Sequence, residues 1–191
     1  MKWHCINITI TAALLITLPF KVLSAHCSAP AWNEILNLQT DLDRTYNLHA
    51  QKFNQFLHIH NEQPFLYQEF TPQEIRQFWD SNKDTLHQSM NSQIEASLFV
   101  VDKIQLERDS LQQLSERAEQ LLLRWRNISQ HCKQVDNQSN AVASEKYAQL
   151  NQALILDINK LFTKLLILEQ RYVNEVETLR RARPDTENDS P

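Results

Sequence analysis

Apolar residues from Ala31 to His60 recur at alternating spacings of four and three. Trp32, Ile35, Leu42, Tyr46, Phe53 and Phe56 fall on one stripe, with Gln39, His49 and His60 as its polar members. That period predicts an amphipathic helix of about eight turns. Ser28 stands ahead of Pro30 as an N-cap, and proline suits the first turn. Pro64 disfavours helical geometry just before it, so the helix is expected to end near Asn61.

The stripe then stops. Residues 61–70 read as an irregular aromatic connector holding Phe65, Tyr67 and Phe70. Thr71-Pro72-Gln73-Glu74 spells a capping box: Thr71 as N-cap, Pro72 at N1 and Glu74 reaching back from N3. Phe70 and Ile75 add a hydrophobic staple, and a short helix is expected over Pro72–Trp79. After a polar bend, a long helix is expected from Asn82 to Lys133. Its stripe runs from Leu86 and Met90 to Ile104, then as a 3,4 seam through Leu111, Leu114, Ala118, Leu121, Trp125, Ile128 and Cys132. Residues 134–143 lack an apolar period and read as a loop. The last helix is expected from Ser144 to Arg183 on Tyr147, Leu150, Leu154, Ile158, Leu161, Leu165, Leu168, Tyr172 and Leu179. A second flank of Ile155, Phe162, Leu166, Val173 and Val176 predicts a central place for it.

These elements define an all-α fold, an elongated up-down-up helical bundle of three long helices with a short capping helix. One domain is expected over 26–183. At about 1.5 Å per residue the helix lengths allow layers to be counted from one end. The first layer joins Trp32, Trp125 and Tyr147, and a later one joins Phe53, Ile104 and Leu165. The first helix runs out opposite Leu98 and a point near residue 171, where Phe65, Phe70, Phe78 and Trp79 are placed to fold back over the remaining pair.

The ends of the chain add an address. Lys2, an apolar run from Ile6 to Leu18 and small residues to Ala25 have the layout of a signal peptide over 1–25. His26 before Cys27 argues against a lipid anchor, which needs a small residue there. Localisation is therefore expected to be exported: periplasmic in a bacterium, otherwise secreted. Losing the leader removes Lys2, Lys21 and Cys5, moving the formal charge from −4 to −6 and leaving Cys27 and Cys132 as a disulfide pair. Residues 184–191 read as a disordered acidic tail.

Composition removes function classes. The chain has no glycine, which excludes ordinary forms of the P-loop, the dinucleotide fingerprint, the G-x-S-x-G elbow and the EF-hand loop. An acidic chain without a basic stripe is a poor nucleic-acid binder, and no later segment is apolar enough to span a membrane. His58 and His60 are two apart and point to different sides of a helix, and no H-E-x-x-H or C-x-x-C occurs. No metal, cofactor or catalytic residue is expected, so the chain reads as a non-enzyme. The candidate binding surface is Phe65, Tyr67, Phe70, Phe78 and Trp79. Phe70 to Glu74 is similar to the L-T-x-x-Q helix starts of small helical periplasmic chaperones. Phe replaces Leu there and Glu74 replaces Gln, and any capping box shares that spelling, so it assigns no family. The expected function is protein–protein contact with another envelope protein, as an adaptor, assembly factor or chaperone-like bundle, with self-association open. The alternative is a ligand-binding or sensory bundle, with a cavity lined by Phe65, Phe78, Trp79 and Tyr172.

Overall fold

The computed structural model describes residues 27–184. The expected leader over 1–25 lies outside the described residues, as does the expected tail after Pro184. Five helices follow in order: α1 Ala29–Asn61, α2 Leu66–Glu69, α3 Pro72–Asp80, α4 Asp84–Gln134 and α5 Gln138–Ala182. Among the described residues there is no strand, and the chain is an all-α helical bundle.

Local chemistry explains most of the boundaries. Trp32 N–H donates to Ser28 O at 3.0 Å as α1 starts. The capping box of α3 forms as its spelling predicts: Glu74 N–H donates to Thr71 Oγ1, and Thr71 N–H donates to Glu74 Oε2 at 2.8 Å. That backbone N–H, and then the Thr71 hydroxyl donating to the same oxygen at 2.9 Å, hold the Glu74 carboxyl below its ordinary value. Between α3 and α4, Ser81 Oγ donates to Phe78 O and His87 Nε2 meets Trp79 O at 2.6 Å. Residues 72–133 are therefore two helices.

The predicted loop over 134–143 is corrected to a turn of three residues, because α5 resumes at Gln138. Asp136 takes φ 58°, the left-handed position that glycine usually fills. Asn137 N–H donates to Cys132 O at 2.8 Å and Asp136 N–H to Lys133 O at 3.3 Å, the paired bonds of a Schellman cap. Asn137 Oδ1 then accepts from Asn140 N–H and starts α5. The buried face of this first stretch is Ala141, Ser144 and Ala148. A seam of small residues carries no large apolar period to read.

The contacts of the described residues fall into two compact units, 27–40 with 120–151 and 41–119 with 152–184. Each draws on α1, α4 and α5. In the first unit Trp125 is fully buried, with Trp32 edge-on at 5.4 Å and Tyr147 stacked at 4.7 Å. This is the aromatic layer the helix lengths predict. Three N–H groups inside it are bonded: Trp32 Nε1 donates to Ser144 Oγ, while Trp125 Nε1 and Asn151 Nδ2 both donate to Gln39 Oε1. Cys27 and Cys132 stand at disulfide distance, with Cα atoms 5.6 Å apart.

In the second unit the stripe of α1 packs on α4 and α5, and Ile75, Trp79, Met90, Ile94, Val176 and Leu179 form one apolar cluster. α1 is antiparallel to α4, since Asp41 meets Arg117 and His49 meets Glu107. It is parallel to α5, since Phe53 meets Lys164 and His60 meets Tyr172. Two expectations for the last helix are corrected. Leu150 is exposed, with Ala148 and Asn151 turned inward beside it. Leu166 of the second flank is also exposed, so only part of that flank is core.

Candidate functional site

The second unit carries an apolar slot of about 150 Å³. The α1 stripe supplies Phe53 and Phe56, α4 supplies Ile104 and α5 supplies Leu165, with Lys52, Lys103 and Glu107 at the rim. Phe53, Ile104 and Leu165 share the layer predicted for them. Glu107 is committed: it meets His49 Nδ1 at 2.5 Å and Lys52 Nζ at 3.7 Å. The ammonium of Lys103 lies 5.0 Å from the centre of the Phe99 ring, and that of Lys164 lies 5.7 Å from the centre of the Phe53 ring. Phe99 and Leu106, on the α4 edge beside Lys103, are 61% and 62% exposed. These two residues stand off the core stripe of α4, so the helical period alone gives them no role.

The aromatic connector behaves differently from the surface expected of it. Phe65 and Trp79 are each only 5% exposed and belong to the interior, which corrects their place in the candidate binding surface. Phe65 packs edge-on to Tyr172 at 5.0 Å and lies 5.5 Å from His60, and Trp79 Nε1 donates to Leu179 O at 3.0 Å. Tyr67 and Phe78 are half-buried, and Phe70 is exposed with its ring 5.0 Å from that of Phe78. Of the residues expected to line a cavity in the alternative reading, Phe65 and Tyr172 pack directly on each other.

A carboxylate organises this end. Glu175 is fully buried and accepts from Leu66 N–H and Tyr67 N–H, both at 3.0 Å, and from Gln93 Nε2 at 2.9 Å. Phe65, at the N-cap of α2, offers no side-chain acceptor, so Glu175 caps the helix from across the unit. Its signal in the sequence is position: Glu175 stands three after Tyr172 and four before Leu179, on the core stripe. Beside it, Arg171 Nη1 donates to His60 Nε2 at 3.1 Å, leaving His60 Nδ1–H to face Tyr172 Oη at 3.2 Å. Burial and then the Arg171 charge push His60 below its ordinary value, and burial pushes the Tyr172 phenol up. The imidazole is therefore neutral near pH 7.

Other polar groups are likewise engaged. Glu169 pairs with Arg108 and accepts from Gln105 Nε2, and Arg108 lies 4.9 Å from the centre of the Phe162 ring. A second, open groove of about 280 Å³ is lined by Pro72, Gln73, Arg76, Thr178, Arg181 and Ala182, with Arg181 paired to Glu177. Among the described residues no group of three or more His, Cys, Asp or Glu is placed to hold a metal ion. Among them too, no helix is long and apolar enough to cross a membrane. Sequence reasoning did not find Glu175, the Arg108–Glu169 pair or the slot.

No family model, no curated protein and no solved structure matches this chain.

Proposed function

We propose that this chain is an exported, non-enzymatic protein that works by contact with another protein, as an adaptor, assembly factor or chaperone-like bundle. One observation carries the reading: Phe99 and Leu106 stand more than half exposed on α4, four before and three after Lys103, the residue of α4 that lines the rim of an apolar slot. Burying a large apolar side chain gains about 1.5–3 kcal/mol, so a partner covering these two recovers free energy that the isolated chain forgoes. Support for the absence of chemistry comes from the buried polar groups. The buried Glu175, Gln39 and Glu169 spend their bonds on caps and interhelical contacts. Support for export comes from the leader sequence and from Cys27 and Cys132 at bonding distance, an arrangement suited to an oxidising compartment.

The test is a photo-crosslinking amino acid placed at Phe99 in the native host, with Val142 as an equally exposed control in the other unit. A discrete adduct from position 99 and none from position 142 is expected. No adduct from position 99 overturns the reading.

A further inference from the structure

We infer that the slot seats one apolar side chain of an acidic helical segment of a partner protein, whose carboxylates lie against Lys103 and Lys164. The inference rests on the contact reading above and names the chemistry of that partner. Size decides first. Pockets that enclose a small molecule hold roughly 300–1,000 Å³, whereas this slot holds about 150 Å³, the scale of one anchoring side chain. Its floor of Phe53, Phe56, Ile104 and Leu165 is apolar and comes from three helices, so the anchor is apolar too.

Charge decides next. The whole chain is acidic, with a formal charge of −4, yet this rim gathers Lys52 and Lys103, with Lys164 beside Phe53. The rim's carboxylate, Glu107, is held by His49 and Lys52. Among the described residues Lys103 and Lys164 pair with no carboxylate; each ammonium rests over an aromatic ring instead. Two uncommitted ammonium groups beside an apolar hole complement a segment with an apolar anchor between acidic neighbours. Geometry supplies the form. Phe99, Lys103 and Leu106 run along α4 at helical spacing, over about 10 Å. An amphipathic helix reading this edge presents anchors at i, i+4 and i+7.

The probe is a synthetic helical peptide with leucine at those three positions and glutamate on both flanks, added to the full chain and followed by fluorescence anisotropy. One twin carries lysine for glutamate, and a second carries alanine for the central leucine. The glutamate peptide is expected to bind, with both twins at least about ten-fold weaker. Lys103→Glu with Lys164→Glu alters two exposed side chains, and its fold is checked by circular dichroism. This variant is expected to lose the glutamate peptide and gain the lysine twin. Equal binding of the glutamate and lysine peptides, binding of none, or binding to anionic phosphatidylglycerol vesicles in place of the peptide overturns the inference. If position 99 still cross-links when the charge swap fails, only the partner chemistry falls. If it does not cross-link, the contact reading falls with it.

Discussion

Glu175 is a charged group with no solvent exposure that satisfies two amides of another element, so its removal leaves these part-buried donors without that partner. A buried donor left without a partner costs about 1–3 kcal/mol. Glu175→Ala is therefore expected to lower stability by about 2–4 kcal/mol in urea unfolding, and to speed hydrogen exchange at Leu66 and Tyr67. Wild-type stability would mean that α2 does not depend on this cap. His60 gives a pH signature. Its folded-state value lies below the ordinary 6.5, so the unfolded chain takes the proton more readily. The stability it contributes is full above about pH 6.5 and is lost as pH falls through that value toward the lowered one. Protonation would also set an imidazolium N–H against the Arg171 guanidinium. Thermal melting from about pH 7.5 to pH 5 should show the cost of His60→Gln shrinking as the solution is acidified. A constant cost would remove His60 from the acid response. At this scale little was legible beforehand. His60 showed as a polar member of an apolar stripe and Glu175 as a glutamate on a core position, but neither position names its partner. Those partners include Tyr172 for His60 and Leu66 for Glu175, each more than a hundred residues away in the chain.

Helices were the legible level. The 3,4 spacing of α1, α4 and most of α5 comes from burying one face of a long helix, and a period survives in sequence wherever the buried residues are large. It failed where they are small, at Ala141, Ser144 and Ala148, and the start of α5 was read as loop. It also failed at α2, whose single turn is too short for any period and whose cap comes from another helix. Capping chemistry was readable where it is local. Thr71→Ala is expected to cost about 0.5–2 kcal/mol through loss of the bond from Glu74 N–H, measured as a lower urea midpoint; an unchanged midpoint would mean that α3 is not anchored there. The α4–α5 turn supplies the opposite case. Asp136 holds a positive φ in a chain without glycine, at a position where a side chain costs about 1–2 kcal/mol. Asp136→Gly is accordingly expected to raise stability by roughly 0.5–1 kcal/mol, the reverse of a glycine placed inside a helix.

For the molecule as a whole, topology was legible because helix length and direction constrain which layers meet. The Trp32–Trp125–Tyr147 layer followed from counting turns, and the Cys27–Cys132 pair from the two cysteines left once the leader is removed. Bonding those cysteines closes a loop across a separation of 105 residues, worth about 4.7 kcal/mol on the chain-entropy account. Cys132→Ser should melt earlier and lose the faster migration of the unreduced chain on a gel, with helix content kept; two free thiols in the unreduced protein would contradict this. The slot was not legible, since it needs side chains of three helices at one level together with the lysines around them. Phe99 and Leu106 lie off the stripe and look like ordinary surface until Lys103 between them is seen to line the slot. Function by contact is the central claim, and one measurement bears on it most directly. The tagged chain and its Phe99→Glu, Leu106→Glu double variant are purified from the native host after gentle cross-linking, and co-purifying proteins are quantified by mass spectrometry. Both changes fall on exposed side chains, so equal melting curves are expected. The same discrete partner should be enriched with the wild type and lost with the variant. A partner retained at equal yield by the variant, or none enriched with either chain, would contradict the account.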